Sequence, residues 1–569
     1  MTRLTVRGFR YLPWNMTGQM RHLAAGLLGL VLGLLALGPA LKPGFVLAYD
    51  MVFVPHPVFG PATFGLLGSA PRQVPSDAVV TALTSLVPGD VVQKLLLLAI
   101  FMMACVSAAA LVPSERLLPR LAAGACYTWN PFVAERLLIG QWAVLLGYAA
   151  LPWVVRAAAE AGERGGGWRL IRALVPAAIG GFAAVLISGL TAVIVAASRG
   201  RAVGRVVPAI IVVSLPWLVT GLLRGLPADT SGVGAFAARA DTPFATMGSL
   251  LSLSGLWNAE TVPSGYGSIV PAGVWLGLVV MAVAGYALWC RSAWWRGLGV
   301  AAIAGLLIAG LGAAVPGLLR VAIGLWPAFA VLRDGQQYVA PLAVLIAVGF
   351  GVSVDRMVRA NQAWTAVGVL AVLAPIAVLP ALAWGAAGRL HAVGYPADWA
   401  SAREIIAADR TRGDVLVLPW ASYRSYPWNG GRRVLDPLPR YLDRRVIWND
   451  AVTVGTTTMG SEDSRTRALD PVIRSGGPLP VALGREGVRY VVVDAAFDRG
   501  RLAGAELLVN GPDLQLYRIQ DLRPVPEPEI PRWIAVLAWI VMLSLTLWSF
   551  VAPTTTLVTL FPPLHQRTP

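Results

Sequence analysis

The segment 22–46, HLAAGLLGLVLGLLALGPALKPGFV, is a long apolar run that is followed directly by Leu47-Ala48-Tyr49-Asp50-Met51-Val52-Phe53-Val54-Pro55. A bilayer-spanning helix needs about 20 mainly apolar residues, so this run predicts a membrane span. It is too long for the apolar part of a signal peptide and lacks a convincing small-residue cleavage site, which favours a retained span. Asp50 then stands at the mouth of that span. A carboxylate there is costly to desolvate and indicates function, although a solvated loop acid or a helix cap would have the same sequence.

The overall composition extends this prediction to much of the chain. Apolar residues make up 56% and charged residues 13% of the 569 positions, and the mean hydropathy is +0.65. These values predict a polytopic α-helical membrane protein, because a membrane β-barrel would show short alternating segments instead. We predict about twelve transmembrane helices, near 22–42, 91–112, 119–134, 140–157, 170–184, 186–198, 204–223, 268–289, 297–315, 336–353, 363–387 and 532–552.

Charge is distributed unevenly between the predicted loops. The net charge is +16. Most arginines of 1–388 lie in the N-terminal segment and in every second loop, and most of the acids lie in the remaining loops. This is the positive-inside bias of membrane proteins, so it predicts a cytoplasmic N-terminus and explains the basic charge without a nucleic-acid partner. Because the acids gather on the outer side, we expect any chemistry to take place there.

The composition changes near Gly388. More than half of the chain's 30 Asp and Glu residues lie in 389–523, which has the size of one soluble domain. The residues 414–419 and 488–494 are β-branched runs typical of buried strands, 506–518 favours a hairpin, and an amphipathic helix is predicted from Tyr395 to about Ala408. We therefore predict a transmembrane domain over 1–388 and an extracytoplasmic α/β domain over 389–523. Residues 524–569 would form a Pro-rich tether, a final span and a short cytoplasmic tail.

A polar segment, Trp129-Asn130-Pro131-Phe132-Val133-Ala134-Glu135-Arg136-Leu137-Leu138-Ile139-Gly140-Gln141-Trp142, interrupts two apolar runs. Such a break at membrane depth is tolerated where protein or a water-filled cavity surrounds it. Arg136 could then pair with a phosphate through its planar guanidinium. The alternative is an interfacial turn whose tryptophans belong to the aromatic belt. The candidate substrate-binding residues in this segment are Asn130, Glu135, Arg136 and Gln141.

Three long outer loops, predicted at 43–90, about 224–267 and about 316–335, supply further candidates. Arg333-Asp334 and Gln336-Gln337 precede a span and could hold a pyrophosphate or a sugar, or Asp334 could instead cap the helix that follows. The candidates in the first and second loops could instead be ordinary polar residues of a solvent-exposed loop. The candidate substrate-binding residues of the three loops are Arg333, Asp334, Gln337, Asp241, Trp257, Asn258 and His56.

Several classes of protein are disfavoured by what the sequence lacks. It contains no G-x-x-x-x-G-K-[ST] for an ATP-driven pump, no H-E-x-x-H and no C-x-x-C. The three cysteines, Cys105, Cys126 and Cys290, lie in or beside predicted spans and are interpreted as small core residues, with no metal-binding spacing. Few charges fall inside the spans, which disfavours an ion-coupled transporter.

These features resemble the GT-C glycosyltransferases, which use polyprenyl-phosphate sugars. The segments 49–55, 129–142 and Leu332-Arg333-Asp334 are similar to the membrane part of actinobacterial cell-wall arabinofuranosyltransferases. The resemblance implies a membrane glycosyltransferase that inverts the anomeric centre, with Asp50 as its general base. Many family members carry two acids in the first loop, whereas Asp50 stands alone here. No cofactor is assigned, and the requirement for a divalent metal stays open.

The resemblance also implies the partners. They are a polyprenyl-phosphate sugar donor of the arabinofuranose or mannose class, a cell-envelope glycan or glycolipid acceptor, and the lipid bilayer, at the outer face of a multi-pass cell membrane protein. The alternative function is a non-catalytic GT-C-like scaffold, or a protein that binds or transports lipid-linked glycans.

Overall fold

The computed structural model describes residues 18–200, 202–224, 229–360, 365–523 and 531–552. The predicted Pro-rich tether at 524–528 and the tail after residue 552 lie outside these ranges. Helices dominate the N-terminal two thirds of the chain, and the strands gather in the C-terminal third.

Within these ranges, eight helices are long and apolar enough to cross a membrane. They are Gly18–Leu41, Gly89–Leu111, Trp142–Ala159, Val203–Arg224, Ile269–Trp289, Trp295–Ala314, Gly335–Ala360 and Arg532–Val551. A pair bent by 66°, Thr365–Val378 and Pro380–Ala387, gives a ninth if it is counted as one span. A multi-pass membrane protein is therefore confirmed, but the predicted number of about twelve spans is not.

The remaining predicted spans are shorter helices. The expected span at 119–134 is divided into Leu117–Thr128 and Pro131–Leu138, because Pro131 has no N–H to continue a helix and the side chain of Asn130 caps the second one. The spans expected at 170–184 and 186–198 correspond to Gly166–Gly180 and Phe182–Ala197, which break at Gly181.

The predicted long loops contain short helices. The first loop, 43–90, contains Ser76–Thr84, the second contains Gly232–Ala235 and Ala245–Leu251, and the third contains Pro316–Leu325. The three cysteines are free and buried, which confirms their interpretation as core residues.

The C-terminal region contains most of the strands. In chain order the strands are β1 (Phe45–Val46), β2 (Ala392–Val393), β3 (Asp414–Leu418), β4 (Tyr423–Ser425), β5 (Arg433–Leu435), β6 (Val446–Ile447), β7 (Val452–Val454), β8 (Thr457–Met459), β9 (Val488–Val493), β10 (Glu506–Asn510) and β11 (Gln515–Arg518). Five of them form one sheet in the order β10-β11-β9-β3-β6, in which β3 is parallel to both β9 and β6.

The local predictions for this region are confirmed. The β-branched runs form β3 and β9, the hairpin is β10–β11, and the amphipathic helix is Ala397–Ala408. Three further helices, Leu438–Tyr441, Ser464–Arg474 and Pro480–Arg485, complete the region. Buried aliphatic side chains on β3 and β9 form its core because these strands are central in the sheet.

The C-terminal region packs against the first loop of the helical part. β1 from that loop pairs with β2, and the β4–β5 hairpin continues the contact through Tyr49. The Tyr49 N–H donates to the Arg433 carbonyl at 2.7 Å, and the Leu435 N–H donates to the Tyr49 carbonyl at 2.8 Å. These backbone bonds bring the C-terminal region next to Asp50.

Candidate functional site

Asp50 lies in a tight turn that packs against the polar segment 129–142. The Met51 N–H donates to the Ala48 carbonyl at 2.9 Å, and the Asp50 N–H donates to the Ile139 carbonyl at 3.1 Å. Gly140 makes this approach feasible, since a Cβ there would stand 2.3 Å from the Ala48 oxygen and its φ is +79°. Both conditions favour glycine, so Gly140 allows the turn that carries Asp50 to pack closely against the polar segment.

The Asp50 carboxylate is half-buried and held by two polar side chains. The Tyr423 hydroxyl donates to Asp50 Oδ1 at 2.7 Å, and Gln141 forms a second side-chain hydrogen bond. Desolvation raises the pKa of Asp50 above its ordinary value, although both hydrogen bonds act to lower it. A carboxylate with a raised pKa is a better proton acceptor near neutral pH than a solvated one.

Arg136 connects this carboxylate to a second one. Its side chain is only 2% exposed, and its Nη1 donates to Gln141 Oε1 at 2.6 Å and lies 3.6 Å from Asp334 Oδ2. The guanidinium also lies over the Phe132 ring, 5.3 Å from its centroid. Four predicted site residues, Asp50, Gln141, Arg136 and Asp334, therefore form one polar chain. Asp334 does not cap the following helix with its side chain but faces Arg136 instead.

Asn130 has a structural role next to this chain. It is fully buried, its Oδ1 accepts from the Val133 N–H at 3.1 Å, and its Nδ2 donates to the Tyr127 carbonyl at 2.7 Å. Asn130 caps the start of the helix Pro131–Leu138, which carries Glu135 and Arg136, so it helps to hold these two residues in position.

Glu135 of the polar segment and Asp241 of the second loop form a second acidic cluster. Glu135 Oε2 accepts from the Leu256 N–H at 3.3 Å, and Asp241 Oδ2 accepts from the Gly255 N–H at 2.8 Å. Desolvation raises the pKa of Glu135 well above its ordinary value. Desolvation also raises the pKa of Asp241, to about 6, although the positive charge of Arg239, 2.9 Å from Asp241, acts to lower the Asp241 pKa. The Glu135–Leu256 bond ties the second loop to the polar segment, and the Asp241–Gly255 bond lies within that loop.

Two other loop residues lie close to Tyr49, the neighbour of Asp50. Asn258 Oδ1 accepts from the Glu260 N–H at 3.0 Å, and its side chain also hydrogen-bonds Tyr49. The Tyr49 hydroxyl donates to the Glu260 carboxylate. Trp257 packs its ring edge-on against Phe236, with 5.0 Å between the ring centroids.

In the described part of the chain, no hydrogen bond or ion pair joins Arg333, Gln337 or His56 to Asp50. Arg333 donates to the backbone carbonyls of Ala330 and Asp229, at 3.2 and 3.3 Å. Gln337 is buried in the 3₁₀ turn Gly335–Val339. His56 is exposed, its carbonyl accepts from Arg403 at 3.0 Å, and it lines a separate cavity of about 410 Å³.

A larger cavity of about 590 Å³ opens beside Tyr49, where the C-terminal region meets the helical part. Its charged lining comes from Glu260, Arg389, Arg432 and Arg433, and His391 adds an imidazole whose pKa burial lowers. Sequence reasoning missed these arginines and Tyr423 as site residues. The sequence signal that could have indicated the arginines is Gly430-Gly431-Arg432-Arg433, because two consecutive glycines are typical of a tight turn. In the structure these glycines have φ of +66° and +70° and directly precede the two arginines.

Within the described ranges, no three His, Cys, Asp or Glu side chains lie close enough together to hold a metal ion.

Solved structures with this fold include two cryo-EM structures of the arabinofuranosyltransferase AftD from mycobacteria. One aligns with a TM-score of 0.58 and 16% identity over 88% of this chain. The other, of a mutant form, aligns with a TM-score of 0.55 and 17% identity over 88% of this chain. The chain spans 40% and 42% of the length of these two structures. The likeness confirms the predicted resemblance at the level of the fold.

No protein-family model and no curated protein sequence matches the chain.

Proposed function

We propose that the protein is a membrane glycosyltransferase that transfers a sugar of the arabinofuranose or mannose class from a polyprenyl-phosphate donor. The acceptor is a cell-envelope glycan or glycolipid. The observation that carries this proposal is the half-buried Asp50 carboxylate, held by Tyr423 and Gln141 where the helical part meets the C-terminal region. The fold that the chain shares with the arabinofuranosyltransferase AftD supports the reaction class.

In the proposed reaction Asp50 is the general base. It takes the proton of an acceptor hydroxyl as that oxygen forms a bond to the anomeric carbon of the donor sugar. The bond between the anomeric carbon and the phosphate oxygen breaks, and the lipid phosphate leaves with the electron pair, with inversion at the anomeric carbon. A positioned base contributes about 10²–10⁴-fold to such a step.

Arg136 and Gln141 support this base in two ways. Gln141 hydrogen-bonds both Asp50 and Arg136, so it fixes the direction of the carboxylate. Arg136 adds positive charge beside the site, where negative charge develops on the leaving phosphate. Among the residues that the structure describes, Arg333 donates to the backbone carbonyls of Ala330 and Asp229 and forms no hydrogen bond or ion pair with Asp50, so we assign it no role in transfer.

We further propose that the reaction takes place on the outer face of the membrane. The distribution of arginines supports a cytoplasmic N-terminus, which directs the loop 43–90 outward. The C-terminal region packs on that loop through β1–β2 and the bonds of Tyr49, so both lie on one side. Apolar grooves between helices would hold the lipid tail.

The test is transfer by purified Asp50→Asn protein. Wild-type protein in detergent is assayed with a panel of polyprenyl-phosphate sugars, and the variant is expected to lose about 10²–10⁴-fold in rate. Asp229→Asn serves as the matched control, because Asp229 is a loop aspartate whose side chain hydrogen-bonds its neighbour Ser231. An Asp50→Asn protein with wild-type rates would refute the base assignment. Wild-type protein that binds a donor and turns over none of the panel would favour the non-catalytic alternative.

A further inference from the structure

The cavity beside Tyr49 is rich in cations. Arg389, Arg432 and Arg433 line it, against the single carboxylate of Glu260. Arg433 is 59% exposed at its side chain and lies 3.6 Å from Glu260, so these two charges offset each other. Two guanidinium charges remain.

The other two arginines donate hydrogen bonds to uncharged partners. Arg389 donates to the carbonyls of Val262 and Glu260, and Arg432 donates to the carbonyls of Asn429 and His391. Within the described ranges no carboxylate forms an ion pair with either arginine. Burial lowers the pKa of Arg432 to about 10, which is still above neutral pH, so its charge persists.

These contacts fix positive charge at the cavity wall without neutralising it. Backbone carbonyls hold the guanidinium groups in place, and the low-dielectric walls of a cleft concentrate their field. A fixed cationic cleft of this kind raises the local concentration of anions, and phosphate suits guanidinium groups by charge and geometry.

The remaining wall suits a sugar. Tyr49, Leu138 and Leu390 give it aromatic and apolar surface, and Ser425 gives it a polar residue. The volume of about 590 Å³ is in the range of small-molecule sites and larger than a phosphate ion needs. The cavity also shares Tyr49 with the Asp50 turn, so a ligand there would lie beside the proposed base.

We infer that this cavity binds a phosphate-bearing saccharide, with Arg433 at its open side and Arg389 and Arg432 at its fixed wall. The saccharide portion rests on the proposed function, whereas the phosphate site stands on the arginines alone. The phosphate belongs to a lipid carrier or to a soluble ligand, and two probes separate these sources.

The test is direct binding to purified full-length protein in detergent. Inorganic phosphate and geranyl phosphate, a short polyprenyl phosphate, are titrated separately into wild type, Arg433→Gln and Arg474→Gln. Arg474 is the matched control, because it is 62% exposed and paired with one carboxylate, Asp470, like Arg433 with Glu260. Arg433→Gln is expected to weaken phosphate binding about tenfold, as loss of one charge-assisted contact predicts, and Arg474→Gln is expected to leave it unchanged.

A second variant acts in the opposite direction. Glu260→Gln removes the only carboxylate that lines the cavity within the described ranges, so phosphate should bind more tightly. If wild type binds geranyl phosphate more tightly than inorganic phosphate and Arg433→Gln weakens both, the lipid carrier is the source; equal affinity for the two probes, or binding of inorganic phosphate alone, assigns the site to a soluble ligand. Absence of phosphate binding in wild type, or equal binding by wild type and Arg433→Gln, overturns the inference. Asp50→Asn should still bind phosphate, so failure of the proposed reaction is distinguishable from failure of this site.

Discussion

The hydroxyl of Tyr423 donates a 2.7 Å hydrogen bond to the Oδ1 atom of Asp50. Tyr423 belongs to β4 in the C-terminal region, and Asp50 belongs to the first loop of the helical part. Docking of the C-terminal region therefore completes the surroundings of the proposed base. Removing this region should therefore slow the proposed transfer.

Tyr423→Phe should slow transfer and change its dependence on pH. The Tyr423 hydrogen bond favours the charged form of Asp50 and so lowers its pKa; without it the pKa rises further. We expect kcat to fall about tenfold, as loss of one hydrogen bond to a charged group predicts. The acidic limb of the pH–rate profile should move to higher pH. Tyr441→Phe, in the same region, should move neither quantity, and an unchanged acidic limb in Tyr423→Phe would contradict the assigned role.

Asp50→Asn should fold at least as well as wild type. Desolvation raises the pKa of Asp50 in the folded state, so the folded state holds this proton more tightly than the unfolded state does. The resulting stability is present at low pH and is lost as the pH rises through the raised pKa. At neutral pH the ionised carboxylate therefore opposes folding, and an uncharged amide should give an equal or higher Tm. Thermal unfolding in detergent, followed by tryptophan fluorescence, measures this, and a fall of several degrees would assign Asp50 a structural role.

Apolar runs predicted the long helices correctly because a span of about 20 apolar residues has few alternatives. The same reasoning failed at 119–134, where the helix breaks at Asn130-Pro131 although its flanks are apolar. Arg136 and Gln141 were predicted as site residues because they are polar within an apolar context. Tyr423 could not be predicted, since it is 373 residues from Asp50 in sequence and only tertiary packing joins them.

Arg136→Gln should destabilise the protein and reduce transfer. The substitution removes the partner of Asp334, whose side chain is 26% exposed, and the donor to Gln141. Breaking a buried ion pair costs about 3–5 kcal/mol, and the partial exposure of Asp334 places the loss near the lower end of that range. The double variant Arg136→Gln/Asp334→Asn should recover part of this stability, which a double-mutant cycle would measure. If the free-energy losses of the two single variants add up to that of the double variant, Arg136 and Asp334 are not energetically coupled.

A buried cluster in the C-terminal region predicts a second effect of pH. Arg424 lies 3.0 Å from Asp494 and 3.3 Å from Asp436, and the Tyr426 hydroxyl donates to Asp494 at 2.7 Å. One buried cation thus faces two buried carboxyls. Desolvation raises the pKa of Asp436 to about 7, because Arg424 offsets only part of that cost. The stability from this raised pKa is present at low pH and is lost as the pH rises through 7.

Asp436→Asn should remove this dependence on pH. In wild type we expect the Tm to fall between about pH 4 and pH 7, from the ordinary pKa of an aspartate to the raised one, and to level off above pH 7, whereas the variant should show a flatter profile. Asp470→Asn is the control, because Asp470 is 36% exposed at its side chain and should leave the wild-type profile intact. Arg424 directly follows Tyr423 in β4, so weakening of the cluster at high pH should also loosen the Tyr423–Asp50 bond and slow transfer. The pH–rate profile should then have an alkaline limb that Asp436→Asn removes while it retains the acidic limb of Asp50. An alkaline limb that persists in Asp436→Asn would separate the cluster from the site.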